Sequence, residues 1–166
     1  MNVNQRKIRR IYLASQSPRR KILLSQIAEN LNINIKILKS DTKKNMESLE
    51  EPKKNETPLI YTQRVAMRKA IKAMQTLELK KKPVFPILTA DTTVSFKNKV
   101  LGKPKSKQDA FSNLMKLSNN SHKVITSVVL ANLNNNKRFK NKKNILQFTQ
   151  VSTVWFGVIS STWLEN

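Results

Sequence analysis

Residues 8–24, IRRIYLASQSPRRKILL, decide the fold class. Ile8 to Ala14 read as a short buried strand. Ser15-Gln16-Ser17-Pro18 then reverses the chain, and Ile22, Leu23, Leu24, Ile27, Ala28 and Leu31 recur at helical spacing. Ser17 suits the N-cap, and Pro18 suits the first helical position, where a missing N–H costs nothing. Residues 33–38, INIKIL, alternate as a second strand. Strand, tight turn, helix and strand in that order announce an α/β protein.

Working outward, residues 39–56 are polar and turn-like and are expected to form a mobile loop. Thr57-Pro58 repeats the cap-plus-proline signal for a helix that runs to about Leu79, with Ala66, Ala70, Ala73, Met74 and Leu77 on one face. Residues 83–96, PVFPILTADTTVSF, read as a strand crossing the core, interrupted by Asp91. KNKVLGKP follows as a hairpin and loop, and Ser106 with Asp109 starts a helix over 107–117. From His122 the pattern turns to strands: HKVITSVVLANL, an Asn/Lys turn at 134–144, and a long strand at 145–159. There is no internal repeat and no linker, so the 166 residues are expected to form a single domain with a mixed sheet.

Composition narrows the classes. The absence of cysteine excludes a disulfide scaffold, a thiolate nucleophile and a Cys-ligated zinc site. No apolar run reaches the roughly 18–20 residues that a membrane span needs. The basic N-terminus lacks the apolar core of a secretory signal, so a cytoplasmic location is expected. Lys and Arg number 32 against 10 Asp and Glu, a net charge of +22 that favours phosphate-bearing partners. The basic residues are nonetheless spread along the chain, and aromatics are only 6%. A dedicated nucleic-acid binder concentrates both on one surface.

The chemistry-bearing residues are few. A helix start bearing Arg19 and Arg20, with Ser15 and Ser17 beside it, offers N–H donors and guanidinium forks to phosphate oxygens. Asp91 is a carboxylate inside an apolar strand, so it must face a cation, a metal or a cleft. Lys69 and Lys103 could each neutralise phosphate charge. Glu47, Glu50 and Glu51 cluster in the loop and could supply a metal ligand. His122, the one histidine, is kept out of the catalytic set as a structural residue. With two glycines in the chain, Gly-rich phosphate loops are excluded.

In combination, LASQSPRRKILL, RVAMRKA, ADTTV, LGKP, an Ala-x3-Leu-x2-Leu-Ser helix and HKVITSVVL resemble the Maf family of nucleoside triphosphate pyrophosphatases. The resemblance, from about residue 11 to 160, implies a long mixed β-sheet flanked by helices, with two lobes around a deep nucleotide-binding cleft, as in inosine triphosphate pyrophosphatases. It implies hydrolysis of dTTP or UTP to the monophosphate and diphosphate, assisted by a divalent cation, Mg²⁺ or Mn²⁺. Carried over by position, Asp91 is the catalytic acidic residue, and Lys69 and Lys103 join the catalytic set as phosphate-facing groups. Ser15 faces phosphate, and Arg19 and Thr92 bear on substrate choice. The metal falls to Asp91 and a loop glutamate, Glu51 first and Glu50 next. Arg19, where a 7-methyl-GTP-preferring branch tends to carry tryptophan, points to the dTTP/UTP branch. Whether Asp91 acts as base or metal ligand is left open by the sequence, as is a homodimer. Departures from the family pattern are Asn119 in place of the usual glycine, Ser127 in place of a glycine or alanine, and an ending at Leu-Glu-Asn where family chains continue. That ending is expected to leave a sheet edge or apolar face uncovered.

Two other readings compete: an inactive, truncated relative, and a basic nucleic-acid-binding protein. If the charge is compositional drift, binding to duplex DNA will be weak, indifferent to sequence and quickly lost as salt rises. A sequence-preferring complex that survives physiological salt would contradict this.

Overall fold

The computed structural model describes residues 9–38, 49–133 and 143–160. They form a mixed α/β structure in the order β1 (Arg9–Leu13), α1 (Pro18–Asn30), β2 (Ile33–Ile37), α2 (Pro58–Leu79), β3 (Ile87–Phe96), β4 (Lys99–Leu101), α3 (Lys107–Leu117), β5 (Ser121–Leu133) and β6 (Lys143–Trp155). The sheet is six-stranded, ordered β2-β1-β3-β5-β6, with β4 also paired to β3. β2 and β3 both run parallel to β1, whereas β3–β4, β3–β5 and β5–β6 are antiparallel. The expected elements are all present, and Glu47 and most of the 134–144 turn lie outside the described residues.

Helix α2 organises the core. Ala66, Ala70, Ala73, Met74 and Leu77 are buried along one face, and they pack with Tyr12, Leu38, Ile87, Val129 and Ala131. Small alanines let the helix lie close to the sheet, so that the Ala66 carbonyl accepts a hydrogen bond from the buried Thr89 hydroxyl at 3.0 Å. In β3 the odd-numbered positions from Ile87 to Ser95 are all buried, and Thr89 marks their face as the one covered by α2. The even positions point to the other face. Thr57 caps α2 by accepting from the Ile60 N–H at 3.4 Å, and Ser106 caps α3 by accepting from the Asp109 N–H at 3.0 Å.

Three local features depart from the sequence reading. β3 starts at Ile87 rather than residue 83, because Pro83 and Pro86 have no N–H to give a ladder. The Pro86 carbonyl still accepts from the Tyr12 N–H at 2.8 Å. Ser17 stands at the N-cap of α1 without a side-chain cap bond; its own N–H is bound by the Ser15 hydroxyl at 3.2 Å. The apolar residues of α1 are mostly outside: Ile22, Leu23, Ile27 and Leu31 are exposed, and Ala28 is buried.

The β3–β4 turn carries positive φ at both Lys97 (47°) and Asn98 (59°), the requirement of a two-residue hairpin turn that matches strand twist. β3 is the pivot of the site. Its outer edge pairs with β1 at Ile87 and Leu88 and with β4 at Val94 to Phe96. Between them, residues 89–93 have no strand partner on that side among the described residues. On the far side of the sheet, β6 leaves Leu146, Phe148 and Trp155 exposed.

Truncating Met74, 1% exposed in the centre of this core, should cost about 2–5 kcal/mol of stability. Leu79→Ala, at a position 84% exposed on the same helix, should cost well under 1 kcal/mol (about 0.5 or less). Urea unfolding of the two variants checks the contrast.

Candidate active site

The buried carboxylate of Asp91 organises the site from the α2-covered face of β3. Lys69, from α2, reaches it with Nζ 2.7 Å from Oδ1. The Thr93 hydroxyl donates to Oδ2 at 3.3 Å. Both charged side chains are about nine-tenths buried, so each is the other's compensation for lost water.

Lys69 is shared. Its Nζ also lies 2.8 Å from Glu50 Oε1, while Glu50 Oε2 binds Lys103 Nζ at 2.8 Å. The chain Asp91–Lys69–Glu50–Lys103 therefore joins β3, α2, the segment before α2 and the loop after β4. Lys103 is 85% exposed, and its link is the weak, screened end of the chain. Burial opposes the charge on Glu50, but hydrogen bonds from Lys103 and Lys69 outweigh it and hold the carboxyl below its usual value.

Glu50 is brought here by its backbone. Its carbonyl accepts from the Tyr61 hydroxyl at 2.7 Å, and Arg64 donates to the carbonyls of Leu49 and Glu51 at 3.2 and 2.9 Å. Arg64 also grips Glu56 with two hydrogen bonds, of 2.5 and 2.6 Å. The Arg64 bonds hold the Glu56 carboxyl down at about 2. Burial, assisted by the Asp91 and Glu50 charges, pushes the Tyr61 hydroxyl up to about 12, so it stays a donor. Residues 49–56, expected as part of a mobile loop, are thus fastened to the first turns of α2.

Arg20 fills the open edge of β3. It donates from Nη1 to the Ala90 carbonyl at 2.8 Å and from Nη2 to Thr92 Oγ1 at 3.3 Å, with Ser15 Oγ at 3.4 Å. Burial lowers the guanidinium's pKa, and the Asp91 and Glu50 carboxylates oppose that shift. Thr92 points to the sheet face opposite Asp91, where its hydroxyl meets Thr126 Oγ1 at 3.2 Å. The edge therefore gathers the cations Arg20, Lys69 and Lys103, the carboxylates Asp91 and Glu50, and the hydroxyls of Ser15, Thr92, Thr93 and Thr126 around residues 89–93.

A model of the family described as Maf-like protein matches residues 10–166. The chain belongs to the Maf family. A dTTP/UTP pyrophosphatase of Dechloromonas aromatica is 39% identical over 121 residues, covering 73% of this chain and 59% of the relative. Its counterpart from Albidiferax ferrireducens is 42% identical over 120 residues, covering 72% and 58%. This Maf chain thus spans a little under three-fifths of the length of those relatives. A solved nucleoside-triphosphatase / dITP/XTP pyrophosphatase from Mycobacterium abscessus superposes with a TM-score of 0.46 at 11% identity, over 87% of this chain and 72% of that one.

Of the residues expected from sequence, Asp91, Lys69 and Lys103 join one charge chain, and Ser15 and Thr92 contact Arg20. Arg19 and Glu51 stand apart. Arg19 is exposed on α1, and the Glu51 side chain is exposed while Glu50 enters the Maf site. Arg20 is the arginine that turns to the β3 edge: it lies in one i, i+4, i+8 row with half-buried Leu24 and buried Ala28, whereas Arg19 shares its row with exposed Leu23 and Ile27. His122 is buried against Phe156, ring centroids 5.2 Å apart, with no hydrogen-bond partner for Nδ1 among the described residues, and it lies outside the charge chain.

The depressed Glu56 carboxyl makes acid stability a test of the fastening. In the unfolded chain it binds a proton near 4.5 and in the folded chain only near 2. Its contribution is therefore complete above 4.5 and is lost as pH falls through 2. Glu56→Gln should lower the melting temperature at neutral pH and flatten its decline across that window. An unchanged acid profile would show that the Arg64–Glu56 pair does not fasten the segment.

Proposed function

We propose that this chain is a nucleoside triphosphate pyrophosphatase that hydrolyses dTTP and UTP to the monophosphate and diphosphate. The observation that carries the proposal is a buried carboxylate, Asp91, paired with Lys69, linked through Glu50 to Lys103 and flanked by Arg20 at an open sheet edge. The family and the relatives' substrates support it.

In the proposed reaction a water oxygen bonds to the α-phosphorus, and the bond to the bridging oxygen breaks, its electron pair leaving with diphosphate. Asp91 is the group placed to take the water's proton, its carboxyl oriented by the Thr93 hydroxyl. Arg20, Lys69 and Lys103 supply the positive charge that offsets the charge on the leaving diphosphate. Arg20 is fixed beforehand by Ala90 and Thr92, so its fork needs little reorganisation to meet phosphate oxygens.

A divalent cation fits the residues present. Glu50 Oε1 and Asp91 Oδ1 converge on a single positive centre, Lys69 Nζ. No three acidic or histidine side chains gather for a metal among the described residues. Two carboxylates suit Mg²⁺ or Mn²⁺ that takes its remaining ligands from phosphates and water. Glu50 and Asp91 would hold it, and bound there it would draw charge from the phosphate oxygens and raise the acidity of water.

Diphosphate release from dTTP, UTP and a panel of other triphosphates, with Mg²⁺ or Mn²⁺, tests the proposal. Asp91→Asn should lower turnover by about two orders of magnitude or more with nucleotide binding largely kept. Arg20→Ala should raise KM more than Arg19→Ala does. Parent-like turnover in Asp91→Asn would remove the catalytic assignment, and a folded parent inert to every triphosphate would favour the inactive-relative reading.

A further inference from the structure

The Thr92–Thr126 contact leads away from the charge chain, across the sheet. Arg20 can only donate, so Thr92 Oγ1 accepts from it at 3.3 Å. Either hydroxyl can donate across the 3.2 Å between Thr92 Oγ1 and Thr126 Oγ1, and the Thr92 O–H, not used toward Arg20, is available to do so. With Thr92 donating, the bonds polarise one another and the Thr126 proton is left for a further acceptor. Thr126 is half-buried, opposite Thr92 in β5 and opposite exposed Gln150 in β6.

Charge changes along this direction. Arg20, Lys69 and Lys103 all stand at the β3 edge or beside it. On the face of β5 and β6 that carries Thr126, the neighbours Val124, Val128, Phe148, Gln150 and Ser152 are uncharged. One strand spacing is about 4.8 Å, so Thr126 and Gln150 lie about 5 and 10 Å from Thr92. A nucleotide whose phosphates occupy the cationic edge has its neutral half within that reach.

We infer that Thr126 is a specificity residue whose hydroxyl donates to an oxygen of the nucleoside half of the substrate, a base carbonyl or a sugar hydroxyl. This rests on the proposed nucleotide site but not on turnover. It assigns the two sheet faces different tasks: the Asp91 face holds the reacting phosphates, and the Thr126 face reads what they are attached to.

Equilibrium binding of UMP and of inorganic diphosphate, by titration calorimetry, tests it. Loss of one such hydrogen bond should weaken UMP binding about 5-fold in Thr126→Val, with diphosphate affinity changed less than about 2-fold. Thr126→Ser, which keeps the hydroxyl, should stay within about 2-fold of the parent for both. Thr126→Ala serves in place of Thr126→Val if the latter does not fold. Binding of 2′-deoxy-UMP separates the two oxygens: a loss that persists with it assigns the base or another sugar oxygen, and one that vanishes assigns the 2′-hydroxyl. Unchanged UMP binding in Thr126→Val, no UMP binding by the folded parent, or an equal loss for diphosphate would overturn the inference. A Thr126-dependent UMP affinity in a protein that turns over no triphosphate would instead remove the hydrolytic reading and leave this one standing.

Discussion

A carboxylate placed in the middle of a core-facing strand has to be neutralised, and much of the site follows from how this chain does it. Asp91 occupies an odd position in β3, on the face that α2 covers. About nine-tenths of its side chain is removed from bulk solvent, and the ammonium of Lys69 at 2.7 Å compensates for the lost hydration. That in turn requires α2 to lie close to β3, and the alanines at 66, 70 and 73 allow it. Lys69 then has capacity for a second acceptor, which Glu50 supplies. The segment ahead of α2 is drawn into the site by this demand and fixed there by Tyr61 and Arg64.

The same strand provides the opening. β1 and β4 pair with different ends of β3, and among the described residues the backbone between them meets Arg20 instead of a neighbouring strand. A sheet edge with unpaired carbonyls would invite association. Here a guanidinium occupies one of them, which places fixed positive charge beside Asp91. The overall charge of +22 gives long-range attraction for anions of any kind. Fixed geometry belongs to a few groups, Arg20, Lys69, Thr92 and Thr126, each held by the hydrogen bonds it makes.

Much of this was legible in the sequence. Local signals such as Thr57-Pro58, Ser106 with Asp109, and the alternation after His122 place the elements within a few residues. Asp91 announced itself because a charge in an apolar strand is costly. Asn119 in place of a family glycine is also understandable, since its φ of 53° is one that asparagine tolerates. Ser127 is fully buried but bonded to Gln147 and Thr149, which makes its hydroxyl acceptable there. The choices that were not legible are between adjacent residues. Arg19 and Arg20 differ by 100° around a helix whose apolar residues surround it, so periodicity does not say which faces inward. Glu50 and Glu51 alternate in an extended segment, and the hydrogen bonds that select Glu50 come from Tyr61 and Arg64 on another element.

The central claim is that the Asp91 carboxylate and the Lys69 ammonium compensate each other in the core, and a double-mutant cycle on unfolding free energy tests it most directly. Lys69→Met alone leaves a buried carboxylate without its counter-ion and should cost about 3 kcal/mol or more. Adding Asp91→Asn to that variant should restore over half of the loss, because the stranded charge is removed with its partner. Losses that simply add, with the double variant less stable than either single one, would contradict the account.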